Sequence, residues 1–290
     1  MNLSERRERF RRILAGDKCY YPGSVYDPLS ARMAEEIGYE FGMFAGSTAS
    51  LVVLGAPDIV LLTLTEFVQQ THRICRACTL PILVDADHGY GNALNVARTV
   101  EELETAGVAG LTIEDTALPA AYGAAGSTTL LSLAEGLGKM RSAVAARQDP
   151  GLVIVGRTSA PSLTGDDDAI LRGKAYEKAG VDALFFSGIK TREQLERISA
   201  TTTLPLILGN PGAAVVDLPY LATQRVRVCL QGHAPVMAAA QAAYATLKAL
   251  REGVSPAKLD GLPSSALMKC FTRSDAYDKA IEDFLGGPAQ

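Results

Sequence analysis

The stretch VDADHGYGN (84–92) ends an apolar run with two carboxylates, a histidine and two glycines. Asp85 and Asp87 stand two apart, so in extended chain both side chains leave one face while Ala86 points away. Like charges held that close repel unless a cation sits between them. Glu114, closing the run LTIE, adds a third carboxylate, and Asp58 in the loop GAPD is placed to join as a fourth through water. An oxygen-only set with no histidine or cysteine cluster suits a hard ion, Mg2+ or Mn2+, bound directly or through waters with positions left for substrate. Gly89 and Gly91 let the backbone turn sharply beneath it.

Other residues that could act on a small anion recur in the same relation to apolar runs. Arg157 follows LVIVG, where an unpaired guanidinium is costly, so it requires a carboxylate from protein or substrate; substrate is the expectation. Ser47, after Ala45 and Gly46, precedes a helix expected to start near Ala49, and its hydroxyl and the neighbouring amides are placed to hold a carboxylate. His233 in QGHAP offers a titrating imidazole to orient or protonate substrate. Asp115, Ser187 and Asn210 end runs in the same way, and His88 is expected to face solvent or the outer surroundings of the ion. All of these should meet at one mouth.

The elements that must position them repeat along the chain. Strands are expected over 20–25, 42–45, 82–85, 110–113, 152–155, 183–186, 206–208 and 226–230, with helical patterns between them. DPLSARMAEEIG opens with a capping Asp27 and Pro28 at the first helical position, and NALNVARTVEELETAG sets Val96, Val100 and Leu103 at helical spacing before Gly107. Eight near-continuous apolar strands alternating with helices predict an α/β fold, a parallel (β/α)8 TIM barrel over 1–250, in which functional residues stand at the C-terminal ends of the strands. YPGSVYDP after the first strand is not the glycine-rich phosphate loop of an open dinucleotide-binding sheet. Residues 251–290 read as a loop, GVSPAKLDGLPSS, and a terminal helix, a C-terminal extension of the same domain that packs outside the barrel or on a partner subunit.

Composition narrows the partners. The 290 residues carry a net charge of −4 with no block of like charges, which disfavours nucleic acid or an anionic membrane and leaves small molecules. Residues 5–13 (ERRERFRRI) are basic but precede no apolar leader segment, and no apolar run is long enough to span a bilayer, so a cytoplasmic protein is expected. Five cysteines, an odd number, suit reduced thiols; the lone CxxC of Cys75 and Cys78 sits in a helical pattern and reads as packing.

The pieces SVYDPLSARMAEEIG, AGSTASLVVLGAPD, LVDADHGYGNALNV, LTIEDT, GRT, GNP and QGHA, in that order over residues 5–250, resemble the isocitrate lyase and phosphoenolpyruvate mutase superfamily. Within it the chain is most similar to the oxaloacetate decarboxylase group. The resemblance implies a Mg2+-dependent barrel acting on α-keto or α-hydroxy acids, in tetramers whose paired subunits exchange a C-terminal helix. It implies Asp85 as the Mg2+ ligand, with Asp87, Glu114 and Asp58 around it, and Ser47, Arg157 and His233 on the substrate, here an α-keto dicarboxylic acid such as oxaloacetate. The C–C-cleaving lyases of the superfamily carry a catalytic cysteine in a KKCGH motif; the corresponding loop, LPAAYGAAGSTTL, holds none. It also lacks the basic, Asn-containing pattern of the phosphonopyruvate-processing members. The chain departs from the decarboxylase group at Ala124-Ala125, usually a basic pair, at Ser159, usually Asn, and in a shorter stretch before Gly209. These bear on substrate rather than on fold, and leave as alternatives a lyase or hydrolase for another substituted malate or phosphonate, and a barrel that binds a keto acid without turning it over.

Overall fold

The computed structural model describes residues 2–123 and 126–286; Ala124 and Ala125, where the loop departs from the decarboxylase pattern, lie outside the described residues. In chain order the first unit contains α1 (Leu3–Ala15), β1 (Gly23–Ser24), α2 (Pro28–Ile37), β2 (Gly42–Phe44), α3 (Gly46–Ala49), α4 (Leu64–Ala77), β3 (Ile82–Asp85), α5 (Ala93–Ala106), β4 (Gly110–Glu114), α6 (Leu133–Ala146), β5 (Val153–Thr158), α7 (Ala160–Leu163), α8 (Asp166–Ala179), β6 (Ala183–Ser187), α9 (Arg192–Ser199), β7 (Leu206–Gly209), α10 (Leu218–Thr223) and β8 (Val226–Cys229). All eight expected strands form, within a residue or two except for the first, which is shorter, and the fifth, which runs three residues further to Thr158. They pair in parallel in the order of the chain. Tyr20, just ahead of β1, bridges Val228 and brings the sheet back to its start: its N–H donates to the Arg227 carbonyl at 2.9 Å and its carbonyl accepts from Cys229 N at 3.0 Å. This is a (β/α)8 barrel.

Strand alternation splits the apolar residues into two cores. Met43, Leu83, Val153, Val155, Phe185, Ile207 and Val228 point inward, and Phe10 and Leu14 of α1 join them. Residues such as Val84, Leu111, Ile154 and Leu208 point outward to meet Val96, Val100 and Leu103 of α5 and their counterparts. The basic N-terminal stretch finds its use here. Arg7 donates to Glu104 O (2.6 Å), Val108 O (3.1 Å) and Asp149 Oδ2 (2.7 Å), and Arg11 donates to Gly151 O, Leu152 O and Asp182. With Phe10 fully buried between these two arginines, α1 is fastened to the interior side chains of the barrel.

Caps follow sequence rules. Asp27 accepts from Ser30 N and Asn92 from Leu94 N and Asn95 N, while Gly38 and Gly107 end their helices in the left-handed conformation. Cys75 and Cys78 are buried at the end of α4 as ordinary packing residues. One boundary differs. The helix expected near Ala49 begins at Gly46 and runs on as a π-helical turn over Ser50–Leu54, so Ser47 lies inside the helix rather than before it.

From Ala234 the chain forms a second compact unit. It comprises α11 (Ala234–Arg251), a 3-10 turn (Pro256–Lys258), α12 (Ser265–Thr272) and α13 (Ser274–Leu285). The single terminal helix expected from sequence is broken at Arg273, which is left-handed (φ 56°). The hydroxyl of Thr272 donates back to Met268 O at 2.7 Å, the kind of local bond that competes with helix continuation. Among the described residues no helix is long and apolar enough to cross a membrane.

Candidate active site

The C-terminal ends of the strands open onto a cavity of about 750 Å3, lined by Ser47, Asp58, Asp85, Asp87, Glu114, Arg157, Ser187, Asn210 and His233 among others. Gly46 abuts it beneath Asp87. Register explains the grouping. Around the barrel Asp85 is paired with Thr112, and Glu114, two residues further along the same face as Thr112, is paired with Arg157, which is paired with Phe185.

Asp85 is held on three sides. Its Oδ1 accepts from Thr112 Oγ1 at 2.8 Å and from Asp87 N at 3.2 Å, and its Oδ2 accepts from Arg157 Nη1. Glu114, 5% exposed, places Oε2 at 3.1 Å from Arg157 Nε, an ion-pair contact off the axis of that N–H, which makes no hydrogen bond. The guanidinium carbon lies 5.0 Å from the Phe185 ring centroid, so the ring backs the cation from its other side. Arg157 thus takes its carboxylates from the protein.

Strand β3 stops at Asp85, and Asp87 has φ +48°. The expected extended alternation therefore does not carry Asp87 into the mouth; a left-handed turn does, pinned by the bond from Glu114 N to Asp87 O (2.8 Å). The turn brings the Asp87 carboxylate over Gly46, where a Cβ would lie 2.5 Å from Oδ2. A larger residue there would displace the carboxylate.

Charge accumulates in this mouth. Burial raises the Asp87 carboxyl well above its usual value, and Asp85, Glu114 and Asp58 push it further. Glu114 is raised by burial and by Asp85 although Arg157 pulls the other way, and Asp58 is raised by burial and Asp85. Arg157 is raised as well, which here favours its charged form: burial disfavours the charge, but Asp85 and Glu114 more than reverse this. His233 is lowered by burial against the pull of Asp85 and Asp58, and its Nδ1 lies 3.2 Å from Ser24 Oγ. A neutral imidazole results at neutral pH.

The donor set fits a divalent ion in chemistry. All four acidic side chains are oxygen donors facing one cavity, and their mutual repulsion is what a cation relieves. Among the described residues no three acidic, histidine or cysteine side chains cage one point by themselves, because the Arg157 guanidinium stands between Asp85 and Glu114. Mg2+ does not demand such a cage; it commonly keeps several waters and takes one or two carboxylates.

Two expectations are corrected. Asp115 does not reach the mouth: as the neighbour of Glu114 it points to the opposite face of β4, fully buried, where its Oδ2 accepts from Arg172 Nη1 (2.9 Å) and Tyr176 OH (2.6 Å). His88 faces neither solvent nor the cavity; it is 3% exposed beside Tyr90, and burial with the nearby Lys139 lowers it to about 4. Sequence reasoning also missed Thr112, Phe185 and Ser24, which support Asp85, Arg157 and His233. For the first two a signal existed, since each lies two residues before a strand-end residue and so shares its face. Ser24 is reached only through the fold.

A barrel whose mouth joins an acidic cluster, an arginine and a histidine has the make-up of an enzyme site for a small anion, with oxygen donors of the kind a divalent cation takes. The chain belongs to the phosphoenolpyruvate phosphomutase family, whose model matches residues 10–251. It is 61% identical over 285 residues to a protein named oxaloacetate decarboxylase from Bradyrhizobium sp. strain BTAi1, covering 98% of this chain and 99% of that one. Among solved structures it is similar to an oxaloacetate acetylhydrolase in complex with the inhibitor 3,3-difluorooxalacetate (TM-score 0.85, 27% identity, 99% of both chains). It is likewise similar to a phosphonopyruvate hydrolase in complex with oxalate and Mg2+ (TM-score 0.82, 25% identity, 96% of this chain and 98% of that one).

Proposed function

We propose that this chain is a carboxy-lyase that converts oxaloacetate to pyruvate and CO2 with Mg2+, Mn2+ serving as a substitute. The observation that carries the reading is the acidic mouth, in which Asp58, Asp85, Asp87 and Glu114 face one cavity with Arg157 and His233. The name of the 61%-identical relative selects decarboxylation among the reactions such a mouth supports.

Asp85 is the ligand proposed for the ion, with Asp87, Glu114 and Asp58 holding it directly or through water. When bound, the ion supplies Lewis-acid stabilisation of the negative charge that develops on the 2-oxo oxygen. The remaining work belongs to the chain. The Ser47 hydroxyl and the free amides of Gly46 and Ser47, at the positive end of the helix, hold the C1 carboxylate. Arg157 shares its guanidinium between Glu114 and a substrate carboxylate and fixes the orientation. Asn210 closes the opposite wall. The C3–C4 bond then breaks, its electron pair forms the enolate of pyruvate, and CO2 departs. C3 takes its proton from water or from the protonated fraction of His233, whose ring Ser24 holds in place.

None of the five cysteines lies in the loop over 118–130, which leaves the cysteine-dependent cleavages without their acid. Cys229 does line the cavity, but burial pushes its thiol up to about 11. We take residues 1–250 as the catalytic barrel domain and 251–290 as an extension of the same domain. Exposed apolar residues on that extension, Tyr277, Ile281 and Phe284 (82% exposed), support a homotetramer with exchanged C-terminal helices. Five free cysteines support a reducing, cytoplasmic setting.

The test is NMR of oxaloacetate incubated with enzyme and Mg2+, against an EDTA control. Pyruvate formed above the spontaneous rate, and only with metal, is the expected result. Turnover of 2-methylisocitrate, dimethylmalate or phosphonopyruvate instead would move the assignment to a neighbouring reaction. Tight oxalate binding without turnover of any of them would make the barrel a keto-acid binder.

A further inference from the structure

Lys139 is a charged residue for which the reaction above has no use. It stands on α6, is 3% exposed, and its Nζ donates to the His88 carbonyl at 2.7 Å. Burying an ammonium against a neutral carbonyl is expensive, so the position calls for a reason.

The reason lies in what His88 belongs to. The turn that follows β3 contains four residues with positive φ, Asp87, Gly89, Tyr90 and Gly91, two of them not glycine. Such a turn persists only when its surroundings over-determine it. Here each carbonyl from 86 to 89 has a donor. Ala86 O accepts from Gly89 N (2.9 Å), Asp87 O from Glu114 N (2.8 Å), His88 O from Lys139 Nζ (2.7 Å) and Gly89 O from Thr99 Oγ1 (3.1 Å). Lys139 is the charged donor of the four. Glu135 on its own helix, Glu114 at the end of β4 and Asp115 just after it lie close enough to act on its charge.

We propose that Lys139 is a positioning residue for the carboxylate cluster: by fixing the His88 carbonyl it sets the turn that presents Asp87, and through that turn the affinity of the mouth for a divalent cation. This rests on the cation part of the reading above and not on the identity of the substrate.

The experiment is calorimetric titration of Mn2+ into the full chain with no substrate present, beside thermal melts in EDTA. Lys139→Met is expected to weaken Mn2+ binding at least tenfold. Lys139→Arg, which keeps a charged N–H donor, should return to within about threefold of wild type. A purely structural lysine would lower the EDTA melt and leave the Mn2+ affinity of the folded protein unchanged. Wild-type affinity in Lys139→Met, or Lys139→Arg as weak as Lys139→Met, overturns the proposal. If Lys139→Met does not fold, Lys139→Leu, likewise without a donor, carries the same comparison. A wild-type protein with no saturable Mn2+ site would overturn the cation reading as well, whereas normal Mn2+ binding without oxaloacetate turnover would remove only the substrate assignment.

Discussion

Gly46→Ala tests whether the backbone beneath Asp87 is part of the catalytic geometry. An added Cβ would meet Asp87 at 2.5 Å (Oδ2), 2.6 Å (Oδ1) and 2.8 Å (Cγ), whereas ordinary contact begins at 3.4 Å. The carboxylate must therefore retreat by ~0.9 Å to recover a normal van der Waals separation. Its backbone cannot follow, because Asp87 O is bonded to Glu114 N and Asp87 N to Asp85 Oδ1. The side chain turns away instead. A misplacement of that size costs on the order of 100-fold in rate, or about 2.7 kcal/mol of transition-state stabilisation. Overpacking adds about 1–3 kcal/mol of lost stability, a fall in Tm of roughly 2–12 °C for a chain of this size. Pyruvate formation followed by NMR over a Mg2+ series gives kcat/KM, and a thermal melt gives the stability. Because the alanine acts through Asp87, the double variant Gly46→Ala/Asp87→Ala should be no worse than Asp87→Ala alone. The reasoning fails if Gly46→Ala keeps its activity within twofold, or if the two losses multiply.

Arg157→Ala should raise KM by about 10- to 150-fold, the loss of one charge-assisted hydrogen bond worth about 1.5–3 kcal/mol. It should also make Tm more responsive to added Mg2+, because Asp85 and Glu114 lose their cation; an unchanged KM would remove Arg157 from the substrate. Phe10→Ala should cost about 3–5 kcal/mol of stability through the emptied volume among the interior barrel residues while leaving KM alone. Urea melts and steady-state kinetics check this, and a change in KM without loss of stability would contradict it. Cys75 is held protonated, up to about 12 against an ordinary 9.0, by burial and by the neighbouring Cys78 thiol. A pKa raised in the folded state means the unfolded chain releases this proton first as pH climbs. Stability is therefore full below pH 9 and declines between pH 9 and about 12, at about 1.4 kcal/mol per pH unit. Cys75→Ala should flatten that alkaline decline in urea midpoints, and an identical slope would show that the thiol does not titrate with unfolding.

Asp85, Glu114, Arg157 and His233 were legible because a barrel strand that ends in charge after an apolar run has one place to put it. The same logic placed Val96, Val100 and Leu103 inward and both Asp27 and Pro28 at a helix start, since these depend on 3.6-residue spacing and on local capping. Sequence also pointed to oxygen donors suited to a hard ion, and it shows no cysteine in the loop over 118–130. What it left undecided was non-local. Arg157 could have been answered by substrate or protein; the register that sets it beside Glu114 gives it protein carboxylates, and substrate is added only in the proposed reading. Asp115 shares a strand end with Glu114, yet one residue of pleat turned it to Arg172 and Tyr176. Asp87 reaches the mouth through a left-handed turn that strand alternation does not foresee, over a glycine 41 positions earlier. Lys139 reads in sequence as one more helix-surface charge, and only the packing of α6 behind that turn gives it a buried carbonyl to hold. Spacing fixes which face a side chain leaves by; which partner waits there depends on strand register and helix packing, and those are settled only when the whole barrel closes.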